Sequence, residues 1–161
     1  MRKGTRGFSL IELLIVVAII LIIAAIAIPN LLRSRIAANQ ASAVGSLRTI
    51  NTAEITYAST YNAGYSPGAD LLALGPGATP PTASLAGLID SVLAGGTKSG
   101  YNFVYAPGAA GTGGRIDTYD LNANPSTPGT TGSNYYFTDQ SGVIRQNSTT
   151  NATAADSPIG G

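Results

Sequence analysis

From Phe8 to Ile28 the chain is apolar at every position except Ser9 and Glu12, and from Leu13 to Ile28 sixteen apolar residues follow one another without a break. A run of that length exceeds the usual buried core helix and is long enough to span a bilayer as a helix, about 20 residues being needed. Beyond Pro29 the pattern becomes amphipathic. Ile36, Ala43, Val44, Leu47, Ile50, Tyr57, Ala58 and Tyr61 recur at separations of three, four and seven, which places them on one helical face. Arg35, Gln40, Ser42, Arg48, Asn51 and Glu54 are assigned to the opposite face. Residues 8–29 are thus read as an apolar half-helix and 30–61 as an amphipathic half. A helix over 8–61 would be roughly 80 Å long at 1.5 Å per residue, so its first half is expected to protrude from any head the remaining chain can build.

Residues 62–100 read as a Gly- and Pro-rich connector, punctuated at Ser66-Pro67-Gly68, Gly75-Pro76-Gly77 and Pro80-Pro81. Within it, Leu85, Leu88, Ile89, Val92 and Leu93 lie at helical spacing, predicting a short amphipathic helix over 84–94 stopped by Gly95. Over 101–147 an antiparallel sheet is predicted from four strands: 101–106, 116–121, and a hairpin pairing 135–138 with 143–146 across Asp139-Gln140-Ser141-Gly142. The segment 148–161, rich in Thr, Asn, Ala and Gly, is expected to be a flexible or surface-exposed tail. The predicted class is α+β, a long helix whose outer half packs on a small antiparallel sheet.

Charge sharpens this picture. A carboxylate in an apolar helix costs roughly 2.5 to 3.5 kcal/mol on insertion scales unless it is neutralised. Arg2, Lys3 and Arg6 lie upstream of Glu12, and the next cation is Arg33, beyond the apolar run. If the chain is cut after Gly7, the new α-amino group of Phe8 becomes a cation one helical turn from Glu12, in the same molecule or a neighbouring copy. An ordinary secretory signal cut near Ala25-Ile26-Ala27 and a plain membrane anchor also fit the apolar run, but neither accounts for Glu12. Basic residues ahead of the run favour a cytoplasmic leader, with Arg33 and Arg35 weakening the contrast.

The segment GFSLIELLIVVAIILIIAAIAIPN resembles the class III signal of type IV prepilins and pseudopilins. The resemblance implies a leader over 1–7, cleavage between Gly7 and Phe8 by a prepilin peptidase, N-methylation of Phe8, and assembly roles for Glu12 and Pro29. It implies the type IV pilin fold, and a protein held in the inner membrane before assembly and on the cell surface as a filament afterwards. Implied partners are further copies of itself, the peptidase, an inner-membrane assembly platform and minor pilins. The function implied is the major subunit of a type IV pilus serving adhesion, twitching motility or DNA uptake. A type II secretion pseudopilin shares the signal, and a secreted or anchored monomeric binding domain is the alternative of another class. Pro29 lacks an amide hydrogen and clashes with the carbonyl of Ala25, so the helix is expected to kink or melt near 24–28, or merely to tilt there; the resemblance favours melting.

Composition adds exclusions. The 161-residue chain has no histidine and no cysteine, which removes Ser-His-Asp, Cys-His and HExxH chemistry, thiolate metal sites and the disulfide that closes the C-terminal region of many type IV pilins. Neither an enzyme activity nor a cofactor is expected. Loss of the three basic leader residues leaves six basic against eight acidic side chains, a net −2, with no basic patch for nucleic acid. Asp117, Asp120, Asn122 and Asn124 are oxygen donors that fit calcium by type but not by EF-hand spacing, so they are read as solvated turn residues ahead of a metal site. The eight tyrosines read as packing residues with hydroxyls reaching water. Asn147-Ser148-Thr149 and Asn151-Ala152-Thr153 match the glycosylation sequon.

Overall fold

The computed structural model describes residues 8–77 and 79–160. Helix α1 is assigned without a break from Leu10 to Tyr61, with Pro29 inside it. The chain divides after Arg35 into two units. In the first, the described residues are exposed throughout, Ala24 alone being half-buried. Ala24 to Ile28 are helical in this structure, so the backbone ahead of Pro29 holds its helix in the isolated chain.

The second unit begins within α1 and holds the core. The eight residues predicted for the apolar face are all buried or half-buried. Two of the expected polar-face residues are not where residue type put them: Asn51 and Glu54 are buried, Glu54 completely. Their positions explain this. Residues 43, 47, 50, 54, 57 and 61 form one stripe at alternating steps of four and three, and Glu54 fills a slot in it.

Five strands, not four, form an antiparallel sheet in sequential order: β1 (Thr97–Lys98), β2 (Tyr101–Pro107), β3 (Tyr119–Pro125), β4 (Tyr135–Asp139) and β5 (Arg145–Asn147). The additional strand, β1, turns into β2 through Ser99 and Gly100, both at positive φ, as a two-residue hairpin of the primed type demands. The third strand is displaced from 116–121 to Tyr119–Pro125, because pairing on both flanks, with β2 and β4, recruits Asn122 and Asn124 despite their low strand propensity. Ile116 instead bridges Ala110 and Gly64. The hairpin's second arm likewise starts at Arg145 rather than Val143. Inward-facing Tyr101, Phe103, Tyr105, Leu121, Ala123 and Tyr136 meet Ala43, Leu47, Ile50 and Tyr57 of α1 in one core.

The helix predicted over 84–94 shrinks to α2 (Ser91–Ala94). Ahead of it the amides of Ala86, Leu88 and Ile89 donate to the carbonyls of Ala73 and Leu74 instead of to their own turn. Leu74 closes a short 3-10 turn (Leu72–Leu74), and the two segments together seal the core with Leu71, Leu74, Ile89 and Leu93. Asp90 caps α2 by accepting from the amides of Val92 and Leu93 and also pairs with Lys98 at 2.9 Å. The hydrogen bond from the Leu93 amide, with that from Lys98, holds its carboxyl below the ordinary range. Gly95 ends the helix as predicted.

Residues 148–160 do not hang free. Asn122 donates to the carbonyl of Ala152, which is buried, and the amides of Gln146 and Ile159 pair with the carbonyls of Ser157 and Ile144. The segment therefore crosses the outer sheet face and returns along β5. Asp156 pins the return by accepting from Asn147 and from the Thr153 amide. Hydrogen bonds do here what no disulfide can do in a cysteine-free chain.

Gly64 follows the end of α1 within this unit at φ +80°, and a Cβ there would collide with the carbonyl of Ile116. The Gly64→Ala variant is expected to lose about 3 kcal/mol of stability, from left-handed strain and displacement of the bridge. Thermal melts of the full-length chain in detergent check this; an unchanged melting temperature would show that the bridge yields freely.

Candidate assembly site

The N-terminal unit presents a chemistry of one carboxylate on an apolar rod. Sixteen large aliphatic side chains from Leu10 to Leu32 are exposed. At roughly 2 kcal/mol for each on burial, leaving them in water forgoes on the order of 30 kcal/mol, so this surface requires an apolar environment. The helix is long and apolar enough to cross a membrane.

Glu12 sits in the first turn of α1, and its Oε2 accepts from the Ser9 amide at 2.9 Å. This is one half of a capping box, Ser9 being the N-cap and Glu12 the third helical residue. The spacing Ser-x-x-Glu was available in the sequence and gives the carboxylate a local role besides charge pairing. Phe8 is 76% exposed and precedes the helix. Gly7, the other side of the expected scissile bond, and the rest of the leader lie outside the described residues.

In the second unit, the tyrosines and Glu54 form a buried polar system. Glu54 accepts from the Ser66 amide at 2.8 Å and from its hydroxyl at 2.6 Å. Burial pushes the Glu54 carboxyl above its ordinary value, against the opposing pull of the Ser66 bonds. Tyr105 donates to the Ser66 carbonyl at 3.0 Å, and Tyr119 donates to Asn51, whose amide donates to Thr138. Burial, reinforced by the Glu54 charge, pushes both phenols well above their ordinary range. Tyr57 and Tyr101 donate to the carbonyls of Ala83 and Asn134. These hydroxyls tie loops to the core rather than reaching water, a role that tyrosine content alone did not reveal.

The four oxygen-donor candidates do not converge. Asp117 pairs with Arg115, Asn122 holds the Ala152 carbonyl, and the Asn124 Oδ1 is buried without a hydrogen-bond partner. Asp120, Asn122 and Asn124 alternate along β3, so each is separated from the next by nearly 7 Å of strand. Among the described residues no three acidic side chains gather as a metal site. Of the sequons, Asn147 has its side chain engaged with Asp156, while Asn151 is exposed.

Residues 2–28 match the family model described as a prokaryotic N-terminal methylation motif. The chain is 42% identical over 78 residues to the type IV wide pilus major component PilA4 of Thermus thermophilus, covering 48% of this chain and 60% of that protein. It is 50% identical over 52 residues to the type IV major pilin protein PilA of Myxococcus xanthus, covering 32% of this chain and 24% of that one. The chain thus carries a prokaryotic N-terminal methylation motif, and its long apolar helix followed by a five-stranded antiparallel sheet fits the α+β fold of type IV pilins. Within that motif fall Gly7, Phe8 and Glu12, with Pro29 immediately after it. The alignments span less than two thirds of the length of either relative.

Proposed function

We propose that this chain is the structural subunit of a type IV pilus. A prepilin peptidase cuts between Gly7 and Phe8, and the Phe8 amine is methylated. The apolar segment then rests in the inner membrane until the subunit is delivered, through an assembly platform and with minor pilins, into a surface filament. Among copies of itself the rod keeps an apolar environment, with the Phe8 amine and Glu12 forming the charge pair that sets register. Adhesion, twitching motility and DNA uptake are the uses of such a filament, and the subunit's part in them is structural.

The observation that carries the reading is the wholly exposed apolar helix with a single carboxylate at position 12, inside a methylation motif. That both relatives are named as major pilus components supports a pilus subunit over a secretion pseudopilin. Mass spectrometry of filaments sheared from cells tests it. The expected result is an abundant peptide beginning at N-methylated Phe8. Processed chain confined to the membrane would favour the pseudopilin, and a start at Met1 or near Ile28 would overturn the pilin reading.

A further inference from the structure

The charges of the head do not balance within one copy. Lys98 pairs with Asp90 and Arg115 with Asp117, while Arg145 donates to the Asp156 carbonyl. Among the described residues the guanidinium of Arg48 makes no hydrogen bond and no ion pair, although the residue is exposed midway along the part of α1 that builds the head. On the anionic side, among the described residues Asp70, Asp120 and Asp139 form no ion pair. Asp120 and Asp139 stand directly opposite each other across β3 and β4, an arrangement of like charges that is unfavourable unless something neutralises it.

The surface around Arg48 has the shape of a contact left open. Two hollows of about 350 Å³ each flank it, one lined by Thr49, Thr52, Thr56 and Leu88, the other by Val44, Gly45, Tyr136 and Ile159. The hydroxyls of Thr49, Thr52 and Thr56 all donate to carbonyls of their own helix. Gly45 is exposed in the helix interior, where glycine is the least favoured residue after proline. A Cβ there would meet nothing within 4 Å, so no packing inside the subunit calls for a glycine.

We propose that the α1 face centred on Gly45 and Arg48 receives a second copy of this chain, whose unneutralised carboxylates, Asp70, Asp120 or Asp139, supply the partner charge. The contact is heterologous, one surface against a different one, and such a contact propagates a helical filament rather than closing a dimer. This rests on the pilus reading and adds to it a contact outside the apolar rod. The partner is another subunit because every copy carries, beside the unpaired guanidinium, exposed or half-exposed carboxylates of opposite charge that pair with no cation of their own copy.

The test combines two readouts on the full-length chain. Gly45→Ala and Gly45→Leu are expected to hold or raise the melting temperature in detergent, since alanine and leucine favour helix and have room, yet Gly45→Leu is expected to cut sheared filament yield at least tenfold. Arg48→Asp is expected to do the same without loss of thermal stability. Assembly should return when one of Asp70→Arg, Asp120→Arg or Asp139→Arg is combined with it, which identifies the acceptor. Normal filaments from both Gly45→Leu and Arg48→Asp overturn the contact, and rescue by none of the three swaps overturns its charge pairing. Absence of filaments from the unsubstituted chain, by contrast, overturns the pilus reading and this inference with it.

Discussion

Replacing Glu12 with alanine is expected to leave cleavage and methylation at Phe8 intact while reducing surface filaments more than a hundredfold. In the assembled rod the Phe8 amine would then be a buried cation without its counter-charge, a loss of about 3 kcal/mol or more, and each 1.4 kcal/mol is a factor of ten in the subunit equilibrium. The structure supplies a competing account with a smaller effect. Glu12 also accepts from the Ser9 amide, and loss of a cap costs about 1 kcal/mol, which corresponds to less than tenfold. Quantifying sheared filament against membrane-held processed chain separates the two. A hundredfold fall supports the inter-residue pair, a fall of under tenfold reduces Glu12 to a cap, and normal yield sinks the pairing. Glu12→Gln should behave like alanine for assembly, since the amide carries no charge.

The second large effect lies in the head. Glu54→Ala is expected to destabilise it by about 3 kcal/mol, because the Ser66 amide and hydroxyl lose their acceptor and a buried void is left. The neutral isostere Glu54→Gln is expected to be milder and to reveal the proton. Burial holds the folded carboxyl above the ordinary 4.5, so at a pH below 4.5 both folded and unfolded chains keep the proton and the contribution is complete. As pH rises, the unfolded chain releases its proton first, and stability falls until the folded carboxyl ionises as well. The groups around it, Ser66 and the phenols of Tyr57, Tyr105 and Tyr119, are uncharged over this range, and among the described residues no cation pairs with it. Asp90 and Asp156, whose carboxyls lie below the ordinary 3.8, act in the opposite sense and only in more acidic solution. Melting curves of the unsubstituted chain should therefore decline from pH 4.5 upward relative to the Glu54→Gln chain; parallel curves would show that Glu54 is not titrating there.

The apolar rod and the outer helix face were legible because they rest on long, repeated signals: sixteen unbroken apolar residues, then a stripe at steps of three and four. Glu54 reads as a surface residue by type, whereas its slot between Ile50 and Tyr57 in the same stripe is a core position. The 84–94 segment departs from its pattern for a different reason. Its leucines suit a helix, yet the carbonyls of Ala73 and Leu74 offer the amides of Ala86, Leu88 and Ile89 another partner, and no local signal announces a partner thirteen to fifteen residues away. The third strand ran past its predicted end into asparagines that only flanking strands could hold extended. Of the candidate site, Glu12 and Pro29 lie on the helix and Phe8 just ahead of it, while Gly7 falls outside the described residues. The pairing of Glu12 with an amine depends on a cut and on a neighbour, neither of which one folded chain contains.

The return of residues 157–159 along β5 has a consequence for how copies can join. A sheet grows where a strand leaves its amides and carbonyls facing outward, and at β5 the amide of Gln146 and the carbonyl of Ile144 are already taken from within the chain. At the other margin β1 is two residues long and ends in a lysine, features that discourage strand addition. Both margins thus close the route by which identical chains commonly stack into amyloid. In the filament proposed above, the sheet would be a passenger and elongation would be left to the helix.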